Sequence, residues 1–194
     1  MKYGTRSLAV LGALALSAMG LVPAAWAADM SQSGEASPGL VDTPIPDIQA
    51  VGEGDDSAMV GTTVTTVGVV TAAYPAAESG LGATLDGYTI QTPGSGGTWE
   101  PGRTRSDGLF VYADKKGEIP APGTCVRVTG TVGEFPATSA KGNPQSLTQL
   151  AATSVSAVEG CQAPTPIPVS RVPTPDEAEA LESMLLAPQG TWTI

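Results

Sequence analysis

Between Thr124 and Phe135 the chain reads TCVRVTGTVGEF, and this stretch limits the possible folds more than any other. Val126, Val128 and Val132 alternate with Arg127, Thr129 and Thr131, the period of a strand with one buried face. Gly130 and Gly133 interrupt the run where a sheet would bend or bulge. Beyond the turn-like PATSAKGNPQ lies a second β-rich run, Ser146 to Val158, placed to fold back as a long hairpin.

Three further strands are predicted upstream. Thr62 to Tyr74 carries Val64 and Val70 on one parity and Val67 and Val69 on the other, with Gly68 between them. That predicts a strand that changes its buried face at the glycine, as a small coiled barrel requires. Tyr88 to Thr92 is short, and Leu109 to Asp114 is apolar on both faces. Between these two lies a long loop, Pro93 to Gly108, carrying Trp99, Arg103 and Arg105. Five strands without βα alternation predict an all-β fold, a small five-stranded barrel of the oligonucleotide/oligosaccharide-binding (OB) type, over residues 45–161.

The flanks read differently. Lys2 and Arg6, the apolar run Leu8 to Met19 and the small-x-small Ala25-Trp26-Ala27 make residues 1–27 an export signal. Residues 28–44 read as a flexible linker. Thr43 to Gly61 reads as an extended lead-in, anchored by Ile45, Ile48, Val51 and Met59, rather than a helix. Residues 162–175 are a proline-spaced, extended linker. Residues 176–194 start as a short helix behind the capping-box sequence Thr174-Pro175-Asp176-Glu177, with Ala178, Leu181, Met184 and Leu185 on its apolar face. They end in GTWTI, which reads as the opening of a further segment of a longer protein.

Export puts Cys125 and Cys161 in an oxidising compartment. One opens a strand of the hairpin and the other lies just past the end of its partner, so antiparallel pairing brings them together as a disulfide. Two free thiols are the alternative. The net charge of −10 is concentrated in the flanks: residues 29–60 carry seven acids and no base, whereas residues 61–160 carry eight acids and six bases. The barrel region is therefore neither a basic groove nor a strong repeller of polyanions.

The chain contains no histidine. That removes the usual general base, the His-containing triads and most zinc sites, and two cysteines cannot build a metal centre alone. No catalytic constellation, metal site or cofactor motif is present in these residues. Binding remains. Ligands of OB barrels lie across strands 2 and 3, flanked by the loops joining strands 1–2 and 4–5. If Leu109 and Val111 face the core, Phe110 and Tyr112 face outward beside Tyr88 and Gln91 of strand 2, where aromatics stack on bases. The opposite parity buries Phe110 and Tyr112 instead, and alternation cannot separate the two. Arg103, Arg105 and Lys141 then meet phosphates from the loops, or are ordinary solvated side chains. Trp99 is placed at the surface or as a cap on the barrel end.

In order and spacing, IPDIQAVGEGDDSAMVGTTVTTVGVVT, GYTIQT, SDGLFVYAD, CVRVTGTVGEF and SLTQL resemble the N-terminal OB-like domain of large secreted bacterial nucleases. That family carries a C-terminal endonuclease/exonuclease/phosphatase domain. The resemblance runs from about Ile45 through the proline linker to MLLAPQGTWTI. Where the family has Gln-Gly, Ser-Pro and an acid at the end of strand 2, this chain has Gln49-Ala50, Ser57-Ala58 and Thr92. The resemblance implies a non-catalytic accessory module of an exported nuclease, binding DNA or RNA weakly and without sequence preference. It implies divalent metal only for the catalytic domain, whose histidine and acids have no counterpart here. A structural spacer without nucleic-acid affinity, or a carbohydrate or cell-wall module, are the alternatives.

Overall fold

The computed structural model describes residues 41–52, 56–76, 85–114, 119–136 and 146–191. The export signal, most of the N-terminal linker, the β-hairpin turn with Lys141, and the last three residues lie outside them.

Five strands carry the fold: β1 (Thr63–Tyr74), β2 (Gly87–Gln91), β3 (Gly108–Tyr112), β4 (Cys125–Pro136) and β5 (Ser146–Ala157). They hydrogen-bond in the circuit β1-β2-β3-β5-β4 and back to β1. Four seams are antiparallel; the fifth is a short parallel one, Phe110 to Tyr112 against Gln149 to Ala151. The thin β3–β5 seam leaves a partly open barrel of the OB type, as the strand count and lengths predict.

Alternation on β4 does what its sequence requires. Val126, Val128 and Val132 are buried with Val64, Val70, Ile90, Leu109, Val111 and Leu150 in one core. The β4–β5 register slips at Thr129/Gly130. Gly130 passes so close to the Ala151 carbonyl that a β-carbon would collide with it. On β1, however, the buried face does not change at Gly68. Val64 and Val70 both reach the core, and the irregularity falls between Val70 and Ala72. Gly68 is on the core-facing row because Ile90 occupies the space a side chain would need; an added β-carbon would lie 2.9 Å from Ile90 Cβ.

The lead-in is not wholly extended. Ile45–Ile48 forms a one-turn helix, α1, with Pro46 in the first turn, where its missing N–H costs no bond. Ile45 and Ile48 are buried in the barrel core, while Val51 is exposed.

The predicted disulfide joins Cys125 to Cys161, with Cα atoms 6.0 Å apart. The segment after Cys161 is docked rather than free. Gly94 N–H donates to Gln162 O at 2.9 Å, and Ser95 to Gly97 exchange backbone bonds with Thr165. A short strand, β6 (Ile167–Val169), then pairs in parallel with β7 (Leu186–Pro188) on either side of α2 (Pro175–Glu179). The capping box forms: the Glu177 carboxylate accepts from Thr174 N–H at 2.8 Å. Leu181 and Met184 pack with Ile167 in a second, smaller core, flanked by Trp99 and Val169. Residues 162–189 thus form a strap lying on the loop between β2 and β3.

Candidate functional site

The parity of β3 decides the aromatic face. Leu109 and Val111 point into the barrel, so Phe110 lies on the other side of the sheet. Even so, Phe110 is only 4% exposed. It tilts against Tyr74, ring centroids 6.4 Å apart, and Gly87 leaves room for it: a β-carbon there would sit 2.6 Å from Phe110 Cζ. A ring so enclosed offers no face for a base to stack on. Tyr112 is half-buried, its hydroxyl 3.4 Å from Asp114 Oδ1.

Strand 2 gives a clearer correction. Tyr88 is 1% exposed and belongs to the barrel core. Burial pushes its phenol up to about 12, and its hydroxyl has no hydrogen-bond partner among the described residues. Gln91 is fully buried. Its Nε2 donates to Ser95 Oγ at 3.0 Å and its Oε1 accepts from Leu185 N–H at 2.9 Å, so it holds the strap rather than a ligand. Trp99 is half-buried against the strap's small core.

The cations are engaged too. Arg103 pairs with Asp107, and its Nε donates to Arg105 O at 2.7 Å. Arg105 reaches Asp47 at 3.1 Å, Arg127 reaches Asp42 at 2.6 Å and Arg171 reaches Glu177 at 2.7 Å. Every arginine among the described residues is therefore paired with a carboxylate. Arg103 and Arg105 do share a polar groove of about 620 Å³, lined also by Glu100, Asp107, Ser95 and Pro46. Lys141 lies outside the described residues.

Sequence reasoning missed the residues that fasten the strap. Ser106 Oγ donates to Glu182 O at 2.6 Å and accepts from Gly108 N–H at 2.9 Å. Gln49 Nε2 donates to Gly108 O at 2.7 Å and to Glu182 Oε1 at 3.0 Å. Thr148 N–H approaches Glu182 Oε2 at 3.5 Å while its hydroxyl donates to Glu134 Oε1 at 2.9 Å. The Glu182 carboxylate thus ties Gln49, just past α1, and Thr148 of β5 to the strap, and the Gln49 amide reaches on to β3. Burial pushes the Glu182 pKa up to about 8, partly opposed by the Gln49 hydrogen bond and reinforced by the nearby charges of Glu179 and Glu134. Gly108 is obligatory here, because a β-carbon would collide with the Glu182–Ser183 backbone. No spacing in the sequence marks this cluster, since its members are single polar residues on four separate elements.

At the opposite end of β2 and β3 a second groove, of about 630 Å³, opens between Ile119–Ala121 and the end of β5, with Tyr88 and Val126 also lining it. None of its lining side chains is ionisable except the Tyr88 phenol. Among the described residues, no group of three or more His, Cys, Asp or Glu side chains is placed to hold a metal ion. Nor is any helix among them long and apolar enough to cross a membrane.

No family model, no curated protein and no solved structure matches the chain.

Proposed function

We propose that this chain is the non-catalytic accessory module of an exported nuclease, and that its barrel works as a packing platform rather than as a reader of nucleic acid. The motif order resembling secreted nucleases supports the first part. One observation carries the second: Gln91, at the end of β2 in the strand pair across which an OB barrel engages its ligand, is bound to the chain's own strap. The burial of Tyr88 and Phe110 and the pairing of the arginines agree with it. In this reading the strap sets the position of whatever domain it leads to.

A second reading, weak binding of DNA or RNA, draws on the groove shared by Arg103 and Arg105. The Arg105–Asp47 pair is about half exposed on both sides, and such surface pairs contribute only about 0–1 kcal/mol, so a phosphate can displace the aspartate. Fluorescence anisotropy of labelled single-stranded DNA with the purified chain, at low and high salt, separates the two. The platform reading predicts a flat trace. Micromolar binding that weakens with salt and is lost in Arg103→Ala/Arg105→Ala would replace it with the second.

A further inference from the structure

Tyr88 carries a hydroxyl that the barrel leaves unanswered. The residue is 1% exposed, yet its Oη has no hydrogen-bond partner among the described residues. A buried hydroxyl without a partner is costly, and such orphans are rare enough to need a cause. Burial pushes the phenol up to about 12, so at ordinary pH it remains a donor in want of an acceptor.

Tyr88 forms part of the wall of the groove of about 630 Å³ at that end of the barrel. Small-molecule sites span roughly 300–1,000 Å³, and the mouths of β-barrels are among the places where they occur. Ile119 and Ala152, packed against the barrel core, give the groove an apolar wall, and Thr124, Ser154 and Ser156 add hydroxyls. Its other side is β5, which outruns its neighbour. Pairing with β3 stops at Ala151, while pairing with β4 continues to Ala157. From Ala152 onward the β3-facing backbone therefore has no strand partner among the described residues.

Charge selects the kind of occupant. Among the described residues that line the groove, none ionises except Tyr88. They offer no cation to a phosphate or carboxylate and no carboxylate to an amine, so a charged ligand would lose its water without compensation. An uncharged one avoids that cost, its apolar body gains by leaving water, and a single oxygen acceptor answers the phenol.

We propose that this groove binds an uncharged, largely apolar small molecule whose carbonyl or ether oxygen accepts from the Tyr88 hydroxyl. The body of the ligand lies along Ile119 and Ala152, and the open backbone of β5 takes further polar groups at the rim. The site shares no residue with the strap or its seat, and so stands independently of the platform reading.

Fluorescence titration of the purified chain with Nile red, a flat uncharged dye with a ring carbonyl, tests this. Saturable one-to-one binding is expected, with a Kd on the order of 10 µM and emission shifted to the blue. The anionic dye anilinonaphthalene sulfonate is expected to bind at least about tenfold more weakly. Tyr88→Phe keeps the ring and removes the donor, and should weaken Nile red about tenfold, the worth of one buried hydrogen bond. Ser156→Arg, at an exposed position of β5, fills the groove and should abolish binding while leaving the thermal unfolding curve unchanged. A groove that holds only water gives no saturable signal, and that result overturns the proposal. So does equal affinity for the anionic dye, or an affinity that either substitution leaves unchanged.

Discussion

Where β2 ends and β3 begins, Gln91, Ser106, Gln49 and Thr148 all find partners on or beside the strap. Where β3 ends and β5 runs on, the edge has no strand partner among the described residues, and the Tyr88 hydroxyl nearby has none either. The same strands supply both regions. The difference is that twenty-odd residues after Cys161 return to the first region and not to the second. A small barrel does not satisfy its own rims; whatever chain is at hand does it.

The contrast can be broken most severely at its hinge. Cys125 opens β4 and Cys161 begins the strap, so the disulfide fixes the strap's root. Replacing both cysteines by serine is expected to destabilise the fold by roughly 3–4 kcal/mol, as closure of a loop this long implies. Urea unfolding with and without reductant measures it. Next comes Gln91→Ala, which leaves Leu185 N–H without its acceptor. A loss of about 1–3 kcal/mol is expected, with hydrogen exchange speeding up across residues 162–189 more than across β4.

Acidity should sharpen the same comparison. The docked Glu182 holds its proton up to about 8, well above the value of 4.5 it has in a released strap. A raised carboxyl favours docking while protonated. Its contribution is therefore complete below pH 4.5 and is lost as pH climbs through 8. Strap exchange measured across the range from mildly acidic to alkaline pH should accelerate on the alkaline side, and Glu182→Gln, which cannot ionise, should flatten the profile. The opposite slope would refute the assignment. The smallest effect is expected at the other region: Tyr88→Phe removes a buried hydroxyl with no partner and should change stability by no more than about 0.5 kcal/mol, read from the melting temperature.

How much of this was legible depends on which signals are local. Alternating valines located β4 and its core face, because period-2 burial is written directly into neighbouring residues. The cysteine pair could be read from the hairpin for the same reason. β3 was ambiguous because Leu109, Phe110, Val111 and Tyr112 are apolar on both sides. Leu109, Phe110 and Val111 are buried; only the closing of the barrel chose which faced inward. The docking of the strap was not legible for a different reason. A proline-spaced segment is extended whether or not it is docked, and β6 is extended. Its pairing with β7 and the Ser95–Gly97 loop comes from residues far off in sequence. How far Tyr88 and Phe110 are buried and which carboxylates Arg103 and Arg105 meet was not legible either, since burial and ion pairing are tertiary facts.

The position of Cys161 has a consequence for how the strap behaves once undone. Anchored at that residue, an opened strap remains tethered a few ångströms from its seat on the Ser95–Gly97 loop. Rebinding is then an intramolecular event at an effective concentration in the millimolar range, and no diffusing competitor of ordinary abundance can easily outrun it. Cutting the disulfide lengthens the tether without severing it, so reducing conditions would set how long the strap stays open rather than whether it opens.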